Sequence, residues 1–142
     1  MNNAIDKYVK RICEYLHEYP NDISMACINI ISKIYEHDVN NIYHLSFGRL
    51  YEWSGIENHE KFNIALYILV DSRINILEQH FEAFNEIKNR FEGVDDDFIH
   101  EVLTTKDYVH PFTFETISEV EFNKLINIFF TPTKEFRENL SE

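Results

Sequence analysis

The scarcity of glycine and proline constrains the fold of this chain more than any other feature of its sequence. Only three glycines and three prolines occur in 142 residues, and none of them lies between Gly55 and Gly93. Because these two residue types interrupt helices most strongly, the chain is expected to be largely helical. Its 44% hydrophobic and 27% charged residues are typical of a folded globular protein, and its length suits one domain with a small appendage.

Apolar residues recur at helical spacing through the first half of the chain, and this spacing predicts four helices. Pro20 ends the first of them. Asp22 is a candidate cap for the second helix, Ser46 for the third, and either Ser54 or Asn58 for the fourth. The four predicted helices cover residues 5–19, 23–34, 47–53 and about 60–70.

Two interpretations of residues 71–91 are open. The helical period continues through this segment, so one long helix is the first interpretation. In the second, residues 74–77 form a strand and a helix follows from Phe81 to Phe91. The alternation of Ile74 and Ile76 with a polar residue favours the strand.

The C-terminal part of the sequence predicts three further helices. Acidic residues at 95–97 open the first, because carboxylates favour a helix N-terminus. Ser118 caps the second, which continues to Phe129, and residues 131–133 start a last short helix. Between these helices, residues 108–114 are expected to form an extended loop or an edge strand.

The charge of the chain is strongly acidic. Asp and Glu number 25 against 13 Lys and Arg, which gives a formal net charge of −12. Because such a surface repels a phosphate backbone, we predict no sequence-specific binding to nucleic acid. Three interpretations of the charge remain: solubility, recognition of a protein partner with a basic face, and imitation of DNA.

The motifs of common enzyme classes are missing from the sequence. It has no phosphate-binding glycine loop, no nucleophile elbow and no zinc spacing of Cys or His, so we predict no catalytic residue, no metal site and no cofactor. Cys13 and Cys27 lie within apolar stripes and are predicted to be buried thiols. With no signal peptide and no apolar run near ~20 residues, a cytoplasmic protein without membrane contact is expected.

One enzymatic pattern remains as an alternative. Arg73 followed by His80 matches the permissive R-x(4–6)-H spacing of HEPN-type ribonucleases, in which a helix presents both side chains to RNA and the histidine performs acid–base chemistry. Seven residues apart on one helix, the two side chains would share a face. The acidic balance of the chain argues against an RNA substrate.

Aromatic residues, at 15% of the sequence, are candidates for binding a protein partner. Trp and Tyr dominate the energetics of many interfaces, and aromatic side chains near a terminus often dock on another protein. The competing interpretation is that they belong to the core. The candidates are Tyr51, Trp53, Phe112, Phe114, Phe130 and Phe136.

Residues 24–84 resemble a winged helix-turn-helix, with a turn at Ser54–Gly55 and a wing that begins near Ile74. A motif F-x-x-A-L-x-x-L followed by I-x-I is similar to the middle-component subunits of bacterial three-component ABC systems, and the small acidic chain is like the small subunit of Lamassu-type defence systems. The residues that carry the resemblance are Phe62, Ala65, Leu66, Leu69, Ile74 and Ile76.

The resemblance implies a non-enzymatic adaptor that sits with an SMC-like ABC ATPase and an effector nuclease in defence against phage or plasmid DNA. Its winged helix would dock on proteins rather than read DNA. The predicted fold is therefore mainly α, with a winged-helix-like core and a short β element in residues 1–92, and a helical extension packed on it in residues 93–142. Two alternatives are an acidic inhibitor, immunity protein or DNA mimic that binds a basic enzyme, and the HEPN-like ribonuclease.

Overall fold

The structure is a computed structural model that describes residues 3–140. Within this range the chain forms seven α-helices and four β-strands, so the predicted helical core is confirmed but the β content exceeds one short element. The helices are α1 (Asn3–Tyr15), α2 (Asn21–Glu36), α3 (Phe47–Ser54), α4 (His59–Val70), α5 (Asp96–Thr105), α6 (Glu119–Leu125) and α7 (Lys134–Leu140). The strands are β1 (Leu45–Ser46), β2 (Leu77–Asn85), β3 (Arg90–Val94) and β4 (Ile126–Pro132), and a 3-10 turn covers Val39–Asn41.

The chain divides into two compact units. Unit 1 contains the residues up to Glu78 together with those from Phe130 onward, and unit 2 is Gln79–Phe129. Both β2 and β4 therefore cross from one unit into the other along the chain. The division into residues 1–92 and 93–142, which falls inside β3, stays a prediction.

Local capping sets the helix boundaries in the first half of unit 1. The Ser46 hydroxyl accepts a hydrogen bond from the Arg49 amide at 3.1 Å, which confirms the predicted cap of α3. Gly55 ends α3 in the left-handed conformation, with φ +71°. Asn58 rather than Ser54 caps α4, because its side chain accepts from the Lys61 amide.

The predicted cap of α2 is wrong. Pro20 occupies the N-cap position and the helix begins at Asn21. Amides at the start of a helix have no partner within the helix, so the N–H that proline lacks is not needed there. Asp22 lies inside the first turn, and its carboxylate instead accepts a hydrogen bond from the Lys61 ammonium group.

The core of unit 1 is built around α2. Its buried stripe contacts α3 and α4, and α1 and α7 complete the packing. Tyr8 of α1 and Phe136 of α7 meet edge to face with ring centroids 4.8 Å apart, and both are fully buried. The buried residues of α2 are Ile23, Ala26, Cys27, Ile30, Ile31 and Ile34.

Helix α7 is attached to the bend after α4 by one buried hydroxyl. Thr133 accepts a hydrogen bond from the Phe136 amide at 3.1 Å and donates one to the Asn75 carbonyl at 2.8 Å. The Thr133 amide also donates to the Ile76 carbonyl at 2.9 Å. One side chain thus caps the helix and satisfies a carbonyl of a residue whose φ is +58°.

Two charged side chains of α7 reinforce this attachment. The Glu135 carboxylate accepts hydrogen bonds from Tyr8, Arg11 and Asn75. Burial would raise the pKa of Glu135, but these hydrogen bonds and the Arg11 charge outweigh it, so the pKa is lowered. Arg137 donates to the carbonyls of Val39 and Ile42.

The two cysteines differ. Cys27 is buried in the core of unit 1, and desolvation raises the pKa of its thiol to about 12. Cys13 is exposed on α1, so the prediction that it is buried is wrong. Cys13 lies beside the buried face of α1, which includes Ile5, Tyr8 and Ile12.

The four strands form one sheet in the order β1-β4-β2-β3. Strands β2 and β3 are an antiparallel hairpin in which Phe84 pairs with Phe91, so the helix predicted for residues 81–91 is wrong. The apolar spacing that suggested a helix also places these two rings opposite each other across a hairpin. The Asn85 side chain accepts from the amides of Ile87 and Lys88 and so holds the turn.

The remaining differences lie at the strand ends. Ile74 and Ile76 belong to a bend in which Asn75 has φ +58°, and only Leu77 of the predicted strand enters β2. Helix α6 begins after Ser118 as predicted, but it ends at Leu125 and the chain continues as β4. The following isoleucine-rich and phenylalanine-rich residues suit a strand better than a helix.

Unit 2 has its own small core. Asp95 caps α5 by accepting from the Asp97 amide at 2.8 Å, which confirms the helix predicted from the acidic run. The buried members of this core are Ala83, Val94, Ile99, Val102 and Phe122.

Candidate partner-binding sites

Arg73 and His80 do not lie on one helix. Arg73 belongs to the turn after α4, and His80 lies on β2, where its ring stacks on Phe129 with centroids 5.2 Å apart. The helix on which the ribonuclease interpretation depended is therefore absent between these two residues, because the chain bends at 71–76 before β2 begins.

Arg73 is instead part of a local electrostatic cluster. Its guanidinium donates two hydrogen bonds to the Asp71 carboxylate, at 3.1 and 2.9 Å, and another to the Tyr15 hydroxyl. The hydrogen bonds from Arg73 lower the pKa of Asp71 to about 2. These contacts give Arg73 a structural role in holding the turn.

Three of the six candidate aromatic residues lie in the core of unit 1. Trp53 is 8% exposed and stacks on His37, while Phe130 and Phe136 are buried. Their burial gives them a packing role, so none of the three is carried into a proposed interface. The sequence could not distinguish core aromatics from interface aromatics, because both kinds recur at the spacing of the helix or strand that carries them.

Two further candidates are half-buried. The Tyr51 hydroxyl donates to the Glu57 carbonyl at 2.7 Å, and its ring stacks on His59 with centroids 4.5 Å apart. Phe112 lies in the loop after α5, where its ring meets that of His110 with centroids 5.8 Å apart. Both side chains have local structural partners.

Phe114 is the most exposed of the six candidates, with 68% of its surface accessible. It lies in a tight hairpin loop in which its amide donates to the His110 carbonyl at 2.9 Å. The loop is closed by the paired residues Val109 and Thr116. The backbone of Phe114 is left-handed, with φ +60°, an unfavourable conformation for a residue with a bulky side chain.

An open cleft of ≈ 320 Å³ lies between α5 and this loop, within unit 2. Phe98 and Phe114 form two of its walls, with ring centroids 6.3 Å apart and planes inclined by 71°. The helix presents its lining residues at spacings of three and four, which places them on one face. The other lining residues are Glu101, Val102, Thr105, Asp107 and Val109.

The surroundings of this cleft are acidic. Unit 2 has eleven Asp and Glu against four Lys and Arg, a formal net charge of −7 in a segment with about a third of the residues. In the described range, the carboxylates of Glu101 and Asp107 have neither a hydrogen-bond donor nor an ion-pair partner. Two negative charges at the cleft therefore have no ion-pair partner within residues 3–140.

A second exposed apolar surface lies on α4 in unit 1. Tyr67 is 73% exposed and Ile64, three residues earlier, is 39% exposed. Lys61, which is the single Lys or Arg of α4, donates to the Asp22 carboxylate at 2.7 Å. The sequence analysis missed this surface, although the signal was available because both residues lie off the stripe of Phe62 and Leu69 that faces the core.

Other kinds of site have no support in the described part of the chain. Residues 3–140 contain no group of three or more His, Cys, Asp or Glu side chains arranged to hold a metal ion. In the same range, every helix is too short or too polar to cross a bilayer.

Comparison with known proteins gives no relative from which a role for the cleft or for the exposed surface of α4 could be inferred. No protein-family model, no curated protein and no solved structure matches this chain.

Proposed function

We propose that this protein is a non-enzymatic adaptor whose unit 1 is a winged helix used for docking on another protein. Its elements follow the chain order of a winged helix: α2, β1, α3, α4 and then β2. A tight turn with Gly55 in the left-handed conformation separates α3 from α4, as a helix-turn-helix requires.

The sheet order supports this assignment. Strand β4 lies between β1 and β2, the position of the strand that returns from the wing. In chain order, unit 2 is then inserted where a winged helix has its wing, because it separates β2 from β4. The returning strand could not be recognised in the sequence because about forty residues separate it from β2.

The observation that carries the proposal is the surface of α4. In a helix-turn-helix that reads DNA, the second helix of the motif presents side chains to the major groove and phosphates. Here that helix has one cation, Lys61, which is paired with Asp22, and it exposes Tyr67 and Ile64. An exposed Tyr beside an apolar residue suits a protein interface, whereas the absence of a free cation on this helix disfavours DNA.

The resemblance noted in the sequence supplies the more specific version of the proposal. The partners would be an SMC-like ABC ATPase and an effector nuclease in an anti-phage or anti-plasmid complex. Phe62, Ala65 and Leu66, which carry part of that resemblance, are buried framework residues of α4. These three residues stabilise the packing of α4, and the exposed residues of α4 would determine which partner the adaptor binds.

The charge of unit 2 favours a second candidate function. With a net charge of −7 over Gln79–Phe129, the protein would bind a basic enzyme and occlude its active site, as an inhibitor, immunity protein or DNA mimic does. Such a protein would compete with DNA for its target, whereas the adaptor would remain bound when DNA is added.

A co-purification experiment tests the adaptor function. The tagged full chain is expressed with the products of its neighbouring genes, and the retained proteins are quantified for the wild type, Tyr67→Ala and Tyr35→Ala. Tyr35 is a matched control, because it is an exposed tyrosine on α2. We expect a partner at fixed stoichiometry with the wild type and Tyr35→Ala, and at least about tenfold less with Tyr67→Ala, as for an interface hot spot. Retention of no protein by the wild type would refute the proposal.

A further inference from the structure

We propose that the cleft of unit 2 binds an arginine side chain from a basic segment of a protein partner. This inference rests on the proposed function, since it assigns the chemistry of one partner of the adaptor. It also names a site that is separate from the exposed surface of α4.

The size of the cleft suits a single side chain. Its ≈ 320 Å³ lies at the lower end of the range for ligand cavities, and it is open to solvent. Its lining includes the apolar side chains of Val102 and Val109. The aliphatic stem of a long side chain can pack there while the polar end reaches the rim.

The two aromatic walls favour a cation. Phe98 and Phe114 contact each other edge to face, with centroids 6.3 Å apart and planes inclined by 71°. A cation in the cleft would therefore not lie between the two rings but pack on the exposed ring of Phe114. The negative face of an aromatic ring attracts a guanidinium or ammonium group. The tight loop closed by Val109 and Thr116 holds Phe114 on a left-handed backbone and leaves 68% of it exposed.

Charge complementarity identifies the occupant as basic. Glu101 and Asp107 line the same cleft, and in the part of the chain that the structure describes their carboxylates have no partner. An acidic or neutral side chain would leave both carboxylates uncompensated. A basic side chain would neutralise one or both and would be attracted by the net charge of −7 on unit 2.

Arginine fits this environment better than lysine. The guanidinium group is planar, so it can stack on a ring and still donate in its own plane to a carboxylate. A lysine ammonium group is more strongly hydrated and has no planar face with which to stack on a ring. We therefore expect a preference for arginine over lysine at this cleft.

A titration of the full chain with small probes tests the site directly. The ¹H–¹⁵N spectrum is recorded with N-acetyl-arginine amide, N-acetyl-lysine amide and N-acetyl-norleucine amide, the last having an apolar stem without charge. We expect saturable shifts confined to α5 and the 108–117 loop with the arginine probe, weaker shifts with lysine, and none with norleucine. Equal shifts with norleucine, or no saturable shift with arginine, would overturn the proposal.

Variants of the lining residues provide the second test. Phe114→Ala should weaken binding of the arginine probe about tenfold, and Glu101→Gln with Asp107→Asn should weaken it by a similar factor. Phe91→Ala is the matched control, because Phe91 is an exposed phenylalanine of unit 2 that does not line the cleft. An unchanged affinity in Phe114→Ala would show that the probe binds elsewhere.

Co-purification separates failure of this inference from failure of the adaptor function. If the wild type and Phe114→Ala retain the same partner equally, the cleft assignment is wrong and the adaptor function stands. If the wild type retains no protein, both proposals fail. Loss of one retained protein in Phe114→Ala, with Phe91→Ala unchanged, would support both.

Discussion

The ammonium group of Lys61 lies 2.7 Å from a carboxylate oxygen of Asp22, which joins the first turns of α4 and α2. This pair engages the single cation of the helix that a DNA-binding winged helix would use for reading bases. The hydrogen bond from Lys61 lowers the pKa of Asp22, so the pair is charged at neutral pH. The same helix leaves Tyr67 exposed, and this combination is the basis for assigning the surface to protein recognition.

The first prediction concerns nucleic acid. Fluorescence anisotropy with a labelled 20-base-pair duplex at about 0.1 M salt should show no binding by the full chain, because its net charge of −12 repels the phosphates. Lys61→Ala should behave identically, since Lys61 is already engaged by Asp22. Saturable binding that weakens with added salt would contradict this assignment.

The second prediction concerns the attachment of α7. Thr133→Val keeps the shape of the side chain but removes the hydroxyl that caps α7 and donates to the Asn75 carbonyl. The free energy of unfolding in urea should fall by about 1–3 kcal/mol, the cost of a lost cap and of a part-buried carbonyl left without its donor. Thr104→Val, at an exposed position of α5, should change it by less than about 0.5 kcal/mol. Equal effects of the two variants would contradict the role of Thr133.

The third prediction compares two glycines of the helix-turn-helix. Gly55 has φ +71°, a left-handed conformation that costs a residue with a β-carbon about 1–2 kcal/mol, so Gly55→Ala should destabilise the protein by that amount. Gly48 lies in α3 with open space around it, so Gly48→Ala should stabilise the protein by up to about 1 kcal/mol. Thermal unfolding measures both changes: the melting temperature should fall in Gly55→Ala and rise in Gly48→Ala. A shared sign would mean that the turn between α3 and α4 is built differently.

The fourth prediction concerns pH. Arg73 lowers the pKa of Asp71 from 3.8 to about 2, so the folded state favours the charged carboxylate. The stabilisation by Asp71 is then complete above the unfolded pKa near 4 and is lost as the pH falls from there toward 2. Asp71→Asn should therefore have a lower melting temperature than the wild type at pH 7. The difference between the two melting temperatures, here called the gap, should narrow between pH 4 and pH 3. A gap that is constant over this range would contradict the pairing.

The parts of the fold that could be predicted from sequence are those set by local interactions. Ser46, Asn58 and Ser118 cap helices by accepting hydrogen bonds from amides three residues later. Asp95 caps α5 by accepting from the amide two residues later. Each of these signals lies within one turn of the helix that it starts, so a single sequence contains it.

The parts that could not be predicted depend on partners distant in the sequence. The spacing of Phe84 and Phe91 fits a helix and a hairpin equally, and only the pairing of β2 with β3 decides between them. Strand β4 is stabilised by neighbouring strands that the sequence does not identify. The same limit applies to the cleft, because Phe98 and Phe114 meet only when the loop after α5 folds back.

Light scattering on purified material tests the central claim, that this chain works as a bound subunit, most directly. The chain is co-expressed with the products of its neighbouring genes, purified through a tag on this chain alone, and its mass is measured during gel filtration. The adaptor function predicts one species whose mass equals this chain plus at least one partner in a fixed ratio. A single species at the 17.1 kDa of the isolated chain would contradict it.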